Sequence, residues 1–245
     1  MRARWPGGKY ERMSAVSATL KFHGHGCFSM AAEGKRVLID PFISGNPLAV
    51  EKPDEIECDA VLVTHAHEDH LGDSIEIAIA NDAVLVATYE LANWCQRQGV
   101  ADVFPMHIGG GHEFEFGHVK LTVAQHSSSI VTDDVIQGIS NACGFLLTMG
   151  GKVFYYPGDT ALCADIEMIG RLNEIDVTTL PIGDVFTMGM DDAVIAAEML
   201  GAKLTIPMHY DTFDVIAADP EEYVERLLEK GMNARVMNPG EETEV

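Results

Sequence analysis

A histidine-rich motif directly after an apolar segment is the feature that most limits what this chain can fold into. Residues 59–64 form a run of mostly apolar and β-branched side chains, which is typical of a buried strand. The chain continues into Thr64-His-Ala-His-Glu-Asp-His-Leu-Gly72, a stretch that contains His65, His67, Asp69 and His70. Imidazoles and a carboxylate this close together are costly to bury unless a divalent metal ion binds them jointly. The motif therefore predicts a metal site on a loop at the carboxyl end of a strand, before a helix near Asp73.

The spacing inside the motif predicts that this one loop serves two metal ions. His65 and His67 alternate along the chain, as side chains do on an extended segment, and can bind one ion together. Asp69 and His70 are adjacent to each other and are expected to face a second ion. A lone His-x-His occurs in many proteins, but the full His-x-His-x-Asp-His pattern is rare, which disfavours solvated loop histidines as the explanation.

Three more ligand-type side chains each follow an apolar segment directly. They are His126, Asp159 and His209, after residues 119–125, 153–158 and 204–208. If these segments are strands that end at one edge, all seven side chains converge there, in two groups of three with a carboxylate between them: His65, His67 and His126; Asp69, His70 and His209; and Asp159. A carboxylate in that position offsets the repulsion between two dications. Taken singly, each of these three residues could instead cap a helix or stabilise a turn without binding metal.

Composition and charge limit the class of protein. With 245 residues, of which 47% are hydrophobic and 22% charged, the chain can bury a core without disulfides. Its five cysteines are scattered and never form Cys-x-x-Cys, which is typical of reduced cysteines in a cytoplasmic protein. A net charge of −22 and the lack of basic clusters disfavour nucleic acid and anionic membranes as partners. No apolar run reaches the roughly 18–20 residues that span a bilayer.

Hydrophobic periodicity and turn residues predict an α/β (α+β) fold in a single domain that covers residues 18–245. Strands dominate the first part of the chain and then alternate with helices, which favours two mixed sheets packed between helices. Residues 127–140 are polar and irregular and are interpreted as an active-site loop, and residues 234–236 as the last strand. Residues 1–17 are interpreted as a loose N-terminal extension, with Met13 as an alternative start of the protein.

Taken together, these motifs resemble the metallo-β-lactamase superfamily over nearly the whole chain from about residue 19. The resemblance rests on the histidine motif, His126, the Gly-Asp-Thr at 158–160 and His209. Further passages are similar to one branch, the metal-dependent hydrolases related to ascorbate-6-phosphate lactonases: His23-Gly-His-Gly-Cys-Phe28, Ile39-Asp-Pro-Phe42, Glu90-Leu-Ala-Asn-Trp94, His126-Ser-Ser-Ser129 and Pro181-Ile-Gly-Asp184. The resemblance implies an αββα sandwich with a two-metal site at one edge. The chain departs from it in its N-terminal extension and at Gly26, where serine is expected.

The resemblance also implies a metal-dependent hydrolase that uses a hydroxide bridging two metal ions. Its substrate is expected to be a small molecule with an ester, lactone or amide bond. Asp69 is expected to orient the hydroxide and handle its proton while also binding the second ion. Relatives with di-iron redox chemistry have glutamate where His67 stands, so His67 favours hydrolysis. Zinc is the expected metal, with manganese, iron and nickel as alternatives, because the ligand set alone does not rank them.

Other residues and other functions remain open at this point. His25 is a candidate for contact with substrate, against a structural role as a buried histidine. Asp184 follows another apolar segment and is a second candidate catalytic residue, and Asp40 either orients a ligand histidine or caps the turn before Pro41. The competing functions are a phosphodiesterase or nuclease of the same superfamily and a metal-binding protein without activity. A symmetric homo-oligomer is also open.

Overall fold

A computed structural model describes residues 17–132 and 134–245. The predicted N-terminal extension, apart from Ser17, lies outside the described residues, as does Asp133. Within the described ranges, no helix combines the length and the apolar character that crossing a membrane requires.

Strands and helices alternate more regularly in the second half of the chain. The strands are β1 (Thr19–Gly24), β2 (Cys27–Ala32), β3 (Lys35–Ile39), β4 (Ala60–Leu62), β5 (Val84–Thr88), β6 (Val103–Met106), β7 (Gly111–Phe114), β8 (Gly117–Val123), β9 (Ser129–Val131), β10 (Ile136–Gly138), β11 (Cys143–Met149), β12 (Lys152–Tyr156), β13 (Val177–Pro181), β14 (Leu204–Met208) and β15 (Glu242–Glu244). The helices are α1 (Glu68–Leu71), α2 (Ser74–Asn81), α3 (Tyr89–Arg97), α4 (Ala164–Leu172), α5 (Met190–Leu200) and α6 (Pro220–Glu229).

Two large sheets face each other across the main core. The first has the strand order β15-β1-β2-β3-β4-β5-β6, in which β3 to β6 are parallel. The second has the order β14-β13-β12-β11-β8-β7, in which β12 to β14 are parallel. Side chains from both inner faces fill the space between the sheets, among them the fully buried Leu20, Phe28, Leu121 and Phe145. Burying a side chain of this kind stabilises the fold by roughly 1.5–3 kcal/mol.

Helices cover the outer face of each sheet. Helices α2 and α3 pack on the first sheet, and α4, α5 and α6 pack on the second. In α6 the buried residues Tyr223, Val224 and Leu227 form one stripe, while the Asp219 side chain caps the helix by accepting two backbone N–H groups. The layers are therefore helix, sheet, sheet and helix, which confirms the predicted αββα sandwich.

The carboxyl ends of several strands place the predicted ligands at one edge of the sandwich. Strand β4 ends just before His65, β8 before His126, β12 before Asp159 and β14 before His209. Two backbone hydrogen bonds join neighbouring segments at this edge, from Cys143 N to Thr64 O (3.1 Å) and from His209 N to His25 O (3.0 Å). Backbone hydrogen bonds thus hold together the segments that carry the ligand-type side chains.

Three local predictions were wrong. Residues 127–140 are not irregular throughout, because they contain the antiparallel hairpin β9–β10, whose three-residue strands are too short to show a periodicity. Ala234 forms only an isolated bridge with Thr205, and the last described strand is β15, which pairs with β1. The sequence Glu-Thr-Glu of β15 has low strand propensity and depends on that distant partner. Asp69 and His70 lie in the one-turn helix α1 rather than on a loop.

A buried histidine on β1 holds the segment that follows β3. The Glu51 carboxylate accepts from His23 Nδ1 (2.7 Å) and from Lys21 Nζ (2.7 Å). Ser29 Oγ lies 2.9 Å from His23 Nε2 and donates to it. Burial lowers the pKa of His23, although Glu51 opposes that effect. The imidazole is therefore neutral near pH 7 and makes a hydrogen bond through each nitrogen.

Replacing His23 with glutamine is expected to remove part of the acid sensitivity of the fold. Because the pKa of His23 is lower in the folded chain than in the unfolded chain, the unfolded chain binds more protons below about pH 6.5. This stabilisation is complete above that pH and declines below it, by up to about 1.4 kcal/mol per pH unit. Urea unfolding of the parent and His23→Gln proteins between about pH 7.5 and 5.5 measures the effect. A stability difference that stays constant with pH would contradict it.

Candidate metal centre

Three histidines from two loops meet at the edge of the sandwich. His65 Nε2 lies 3.0 Å from His67 Nδ1, and His126 Nε2 lies 3.2 Å from the same atom. Ligand atoms held tetrahedrally around zinc at 2.0–2.1 Å are about 3.3–3.4 Å apart, so these separations suit a single ion. His65 is buried, whereas His67 and His126 are partly exposed, so this first group opens toward solvent.

A buried hydrogen-bond chain determines which nitrogen of His65 faces the group. Thr64 Oγ1 donates to Asp40 Oδ2 (2.6 Å) and therefore accepts from His65 Nδ1 (2.9 Å). The lone pair of His65 Nε2 is thereby left free for a metal ion. Asp40 also accepts from His70 Nδ1 (2.8 Å) and from the Tyr156 hydroxyl (3.0 Å). Asp40 thus orients two histidines of the candidate metal centre, one through Thr64 and one directly.

A second group joins Asp69, His70, His209 and His25, each of which offers one ligand atom within 4.8 Å of the others. His209 Nε2 lies 3.7 Å from Asp69 Oδ2. His25 Nε2 lies 3.1 Å from the same oxygen, and His25 Nδ1 lies 2.8 Å from Thr212 Oγ1. The structure therefore places His25 against Asp69, with Thr212 holding the other side of the ring.

Asp159 lies between the two groups. Its Oδ1 is 3.2 Å from His70 Nε2, and its Oδ2 is 3.1 Å from His209 Nε2 and 3.7 Å from His126 Nε2. Nevertheless His70 Nε2, Asp159 Oδ1 and both ring nitrogens of His209 are buried and have no hydrogen-bond partner. Such atoms cost roughly 1–3 kcal/mol each and are rare in folded proteins. Side chains that lie this close without bonding to one another are arranged as ligands are around an ion, so the donor set fits a metal centre.

The electrostatics of the first group favour neutral ligands. Burial lowers the pKa of His65, His67 and His126, in spite of the nearby carboxylates. At pH 7 these imidazoles carry no charge and keep a free lone pair, which is the form that binds a metal ion.

The second group instead stabilises positive charge. Burial opposes the charged form of His209 and His70, but the nearby carboxylates together outweigh burial and raise the pKa of both, that of His209 to about 9. Asp159 acts on both histidines, aided by Asp69 at His209 and by Asp40 at His70. Burial likewise opposes ionisation of Asp159 and Asp69, yet neighbouring histidines outweigh it and hold the pKa of both carboxyl groups well below the usual range. Two ionised carboxylates in a buried setting create the negative potential that a dication needs.

Three residues of the site have left-handed backbone conformations: His25 (φ 57°), Asp40 (φ 46°) and His209 (φ 56°). This region costs a non-glycine residue roughly 1–2 kcal/mol. Such strain persists where surrounding contacts impose it, and it concentrates at functional sites. The same three residues have their side chains in the hydrogen-bond and ligand network described above.

Not every candidate from the sequence joins this network. Asp184 is exposed after β13 and belongs to neither group among the described residues, so its catalytic role stays a prediction. Tyr156 and Thr212 were missed by the sequence analysis, although Tyr156 ends β12 and Thr212 lies three residues after His209. At Gly26 a Cβ would lie 3.0 Å from the Tyr156 hydroxyl and 3.1 Å from His70 Cε1, so a serine there would crowd both.

Replacing Asp40 with asparagine is expected to weaken metal binding about 10–100-fold. The amide cannot accept from Thr64, His70 and Tyr156 together as the carboxylate does, so the histidine tautomers are no longer fixed. Competition with a chromophoric chelator at constant pH measures the affinity. The control is Asp59→Asn, because Asp59 accepts from Lys35 outside both groups and should retain the parent affinity. An Asp40→Asn protein with unchanged affinity would contradict the orienting role.

Comparisons with known proteins identify the family of this chain. The profile of the beta-lactamase superfamily domain matches residues 35–210. A UPF0173 metal-dependent hydrolase of Bacillus cereus (strain B4264) is 47% identical over 91% of this chain and 97% of its own length. A UPF0173 metal-dependent hydrolase of Geobacillus sp. (strain WCH70) is 48% identical over 91% of this chain and 98% of its own.

A solved structure extends the similarity to three dimensions. Igni18, a metallo hydrolase from the hyperthermophilic archaeon Ignicoccus hospitalis, superposes with a TM-score of 0.84 and 33% identity, covering 94% of this chain and 98% of its own. The resemblance noted from the sequence is thereby confirmed. This chain belongs to the metallo-β-lactamase superfamily and, within it, to the UPF0173 metal-dependent hydrolases.

Proposed function

We propose that the protein is a dinuclear hydrolase that cleaves an ester, lactone or amide bond of a small molecule. The observation that carries the proposal is the pair of candidate ligand groups on either side of Asp159, where buried atoms of His70, His209 and Asp159 have no hydrogen-bond partner. One ion would be held by His65, His67 and His126, the other by Asp69, His70 and His209. Bound there, two dications would supply Lewis acidity and a coordinated water of lowered pKa. Zinc suits this nitrogen-rich set, and manganese, iron and nickel are the alternatives.

Asp69 is ionised, because its pKa lies well below the usual range, and it is the carboxylate best placed to accept a proton at the opening of the site. Its side chain is 28% exposed, whereas that of Asp159 is 3% exposed. Burial lowers the pKa of His25 to about 4, so the ring is neutral. With Thr212 donating to Nδ1, His25 donates from Nε2 to Asp69 Oδ2 and leaves the other carboxylate oxygen free. His25 is therefore a positioning residue for Asp69.

Charge and shape support a small neutral substrate. The net charge of −22 disfavours polyanions such as nucleic acid. Beside the second group, the rings of Phe42 and Phe213 lie 5.6 and 5.9 Å from His25, centroid to centroid, and Phe213 is 40% exposed. These rings offer an apolar wall for the hydrocarbon part of a substrate.

A substrate panel tests the proposed reaction. The zinc-loaded protein is assayed with γ-butyrolactone, p-nitrophenyl acetate, a thioester, a β-lactam and bis-p-nitrophenyl phosphate, and the metal-stripped protein serves as the control. Turnover of at least one carbonyl substrate that depends on metal supports the proposal. Turnover of the phosphodiester alone would replace it with the phosphodiesterase alternative. Bound metal without any turnover would favour the protein without activity.

A further inference from the structure

A polar cavity lies beside the loop of residues 64–67, which we call the metal loop. Both lie at the edge of the first sheet where its parallel strands end. The volume of the cavity is about 460 Å³, within the range of 300–1,000 Å³ typical of small-molecule sites. It is lined by Thr88, Glu90, His107, Ile108, Ser140 and Asn141. Thr88 ends β5, and residues 107–108 follow β6 directly, so the cavity lies at the carboxyl ends of these two parallel strands.

The register of the parallel strands determines how close the cavity is to the metal loop. Leu62, the last residue of β4, pairs with Val86 of β5, and Val63 N donates to Val86 O (3.0 Å). Thr64 and Thr88 each follow this pair by two residues, and neighbouring strands are about 4.8 Å apart, so the cavity begins close to Thr64, the residue before His65. From the other sheet, the hydrogen bond from Cys143 N to Thr64 O (3.1 Å) brings the segment that contains Asn141 against the same loop.

Ser128 connects the wall of the cavity to the metal loop. Its hydroxyl accepts from Ala66 N (3.1 Å) and donates to Ile139 O (2.6 Å). The next residue, Ser140, has a left-handed φ of 59°, and its Oγ accepts from Thr88 Oγ1 (2.7 Å). Strain of this kind is maintained by the contacts around it. Hydrogen bonds therefore connect the cavity wall to the metal loop, so a group bound in the cavity would be held at a fixed position relative to that loop.

We propose that this cavity binds a neutral, hydroxyl-rich group of the substrate, next to the bond that is cleaved. The inference rests on the proposed function and specifies its substrate class. Asn141 offers an amide that both donates and accepts, and Glu90 and His107 add an acceptor and a ring nitrogen. The hydroxyls of Thr88 and Ser140 are bonded to each other and keep lone pairs that can accept. No lysine or arginine is among the described residues that line it, and Glu90 repels anions. A hydroxylated group would bond to these acceptors and to the Asn141 amide, whereas an apolar group would displace water from them without replacing its hydrogen bonds.

A matched pair of ligands tests the subsite without requiring turnover. N-acetylglucosamine and N-cyclohexylacetamide share a six-membered ring and an acetamide, but only the first carries ring hydroxyls. Calorimetric titration of the zinc-loaded protein should give a Kd about tenfold lower for N-acetylglucosamine. Asn141→Ala removes an exposed amide, and Thr88→Val removes a hydroxyl while keeping the shape of the side chain. Each change should reduce the preference to about threefold or less.

The control is Gln96→Ala, an exposed change on α3 outside the cavity lining, which should keep the preference. Equal Kd values for the two ligands in the parent protein would overturn the subsite, and so would a preference that neither cavity variant alters. If the protein prefers N-acetylglucosamine but hydrolyses no carbonyl substrate, the subsite is supported and the proposed function is contradicted. If it hydrolyses a carbonyl substrate but shows no preference between the two ligands, the proposed function is supported and the subsite is contradicted.

Discussion

Replacing Asp69 with asparagine is expected to lower kcat by about a thousandfold while leaving the fold intact. The amide cannot take up a proton at the opening of the site. Its NH₂ group could also face the His25 Nε2–H, which the carboxylate accepts at 3.1 Å in the parent protein. The loss of one negative charge would also weaken the second ligand group, so the metal content has to be measured on the same sample as kcat.

The matched control is Glu68→Gln, which makes the same change from carboxylate to amide at the neighbouring position. Glu68 is exposed and belongs to neither ligand group, so its variant should retain the parent rate within about twofold. Circular dichroism and thermal unfolding of both variants check the fold. A fully metal-loaded Asp69→Asn protein with a kcat within tenfold of the parent would show that Asp69 does not handle the proton.

Replacing His126 with alanine is expected to remove one of the two proposed metal ions. The first group consists of three nitrogens, and without His126 only His65, His67 and the shared Asp159 carboxylate remain. Two imidazoles and a carboxylate that is shared with the other ion bind more weakly than the complete set, so this ion should be lost during gel filtration. Elemental analysis of the zinc-loaded variant should give about one ion per chain instead of two, and turnover of the carbonyl substrates should fall with it.

His118→Ala provides the comparison, because His118 lies earlier on β8 and belongs to neither group. That variant should keep the parent metal content. An unchanged content in His126→Ala would mean that His126 is not a ligand. A single ion already present in the parent, lost completely in His126→Ala, would mean that the second group does not bind metal.

The part of the site that follows visible strands could be predicted from the sequence. Apolar runs marked the strands that end before His65, His126, Asp159 and His209, and β13 lies at the predicted residues 177–181. Side chains that directly follow such runs must lie near the sheet edge. For that reason a one-dimensional pattern was sufficient to predict which side chains the fold brings together.

Contacts between distant segments could not be predicted in this way. His25 and Thr212 are 187 positions apart, and no local pattern marks a hydrogen bond between them. The same holds for the Tyr156 hydroxyl and Asp40, which meet only because the two sheets face each other. The pairing of β15 with β1 has a similar cause, since Glu-Thr-Glu becomes a strand through its partner and not through its own propensity.

Anomalous diffraction from zinc-loaded crystals of the parent protein tests the central claim most directly. Data collected at the zinc absorption edge should show two peaks about 3.5–4 Å apart. One peak should lie among His65, His67 and His126, and the other among Asp69, His70 and His209, with the Asp159 carboxylate between them. A single peak, or two peaks away from these side chains, would contradict a dinuclear centre.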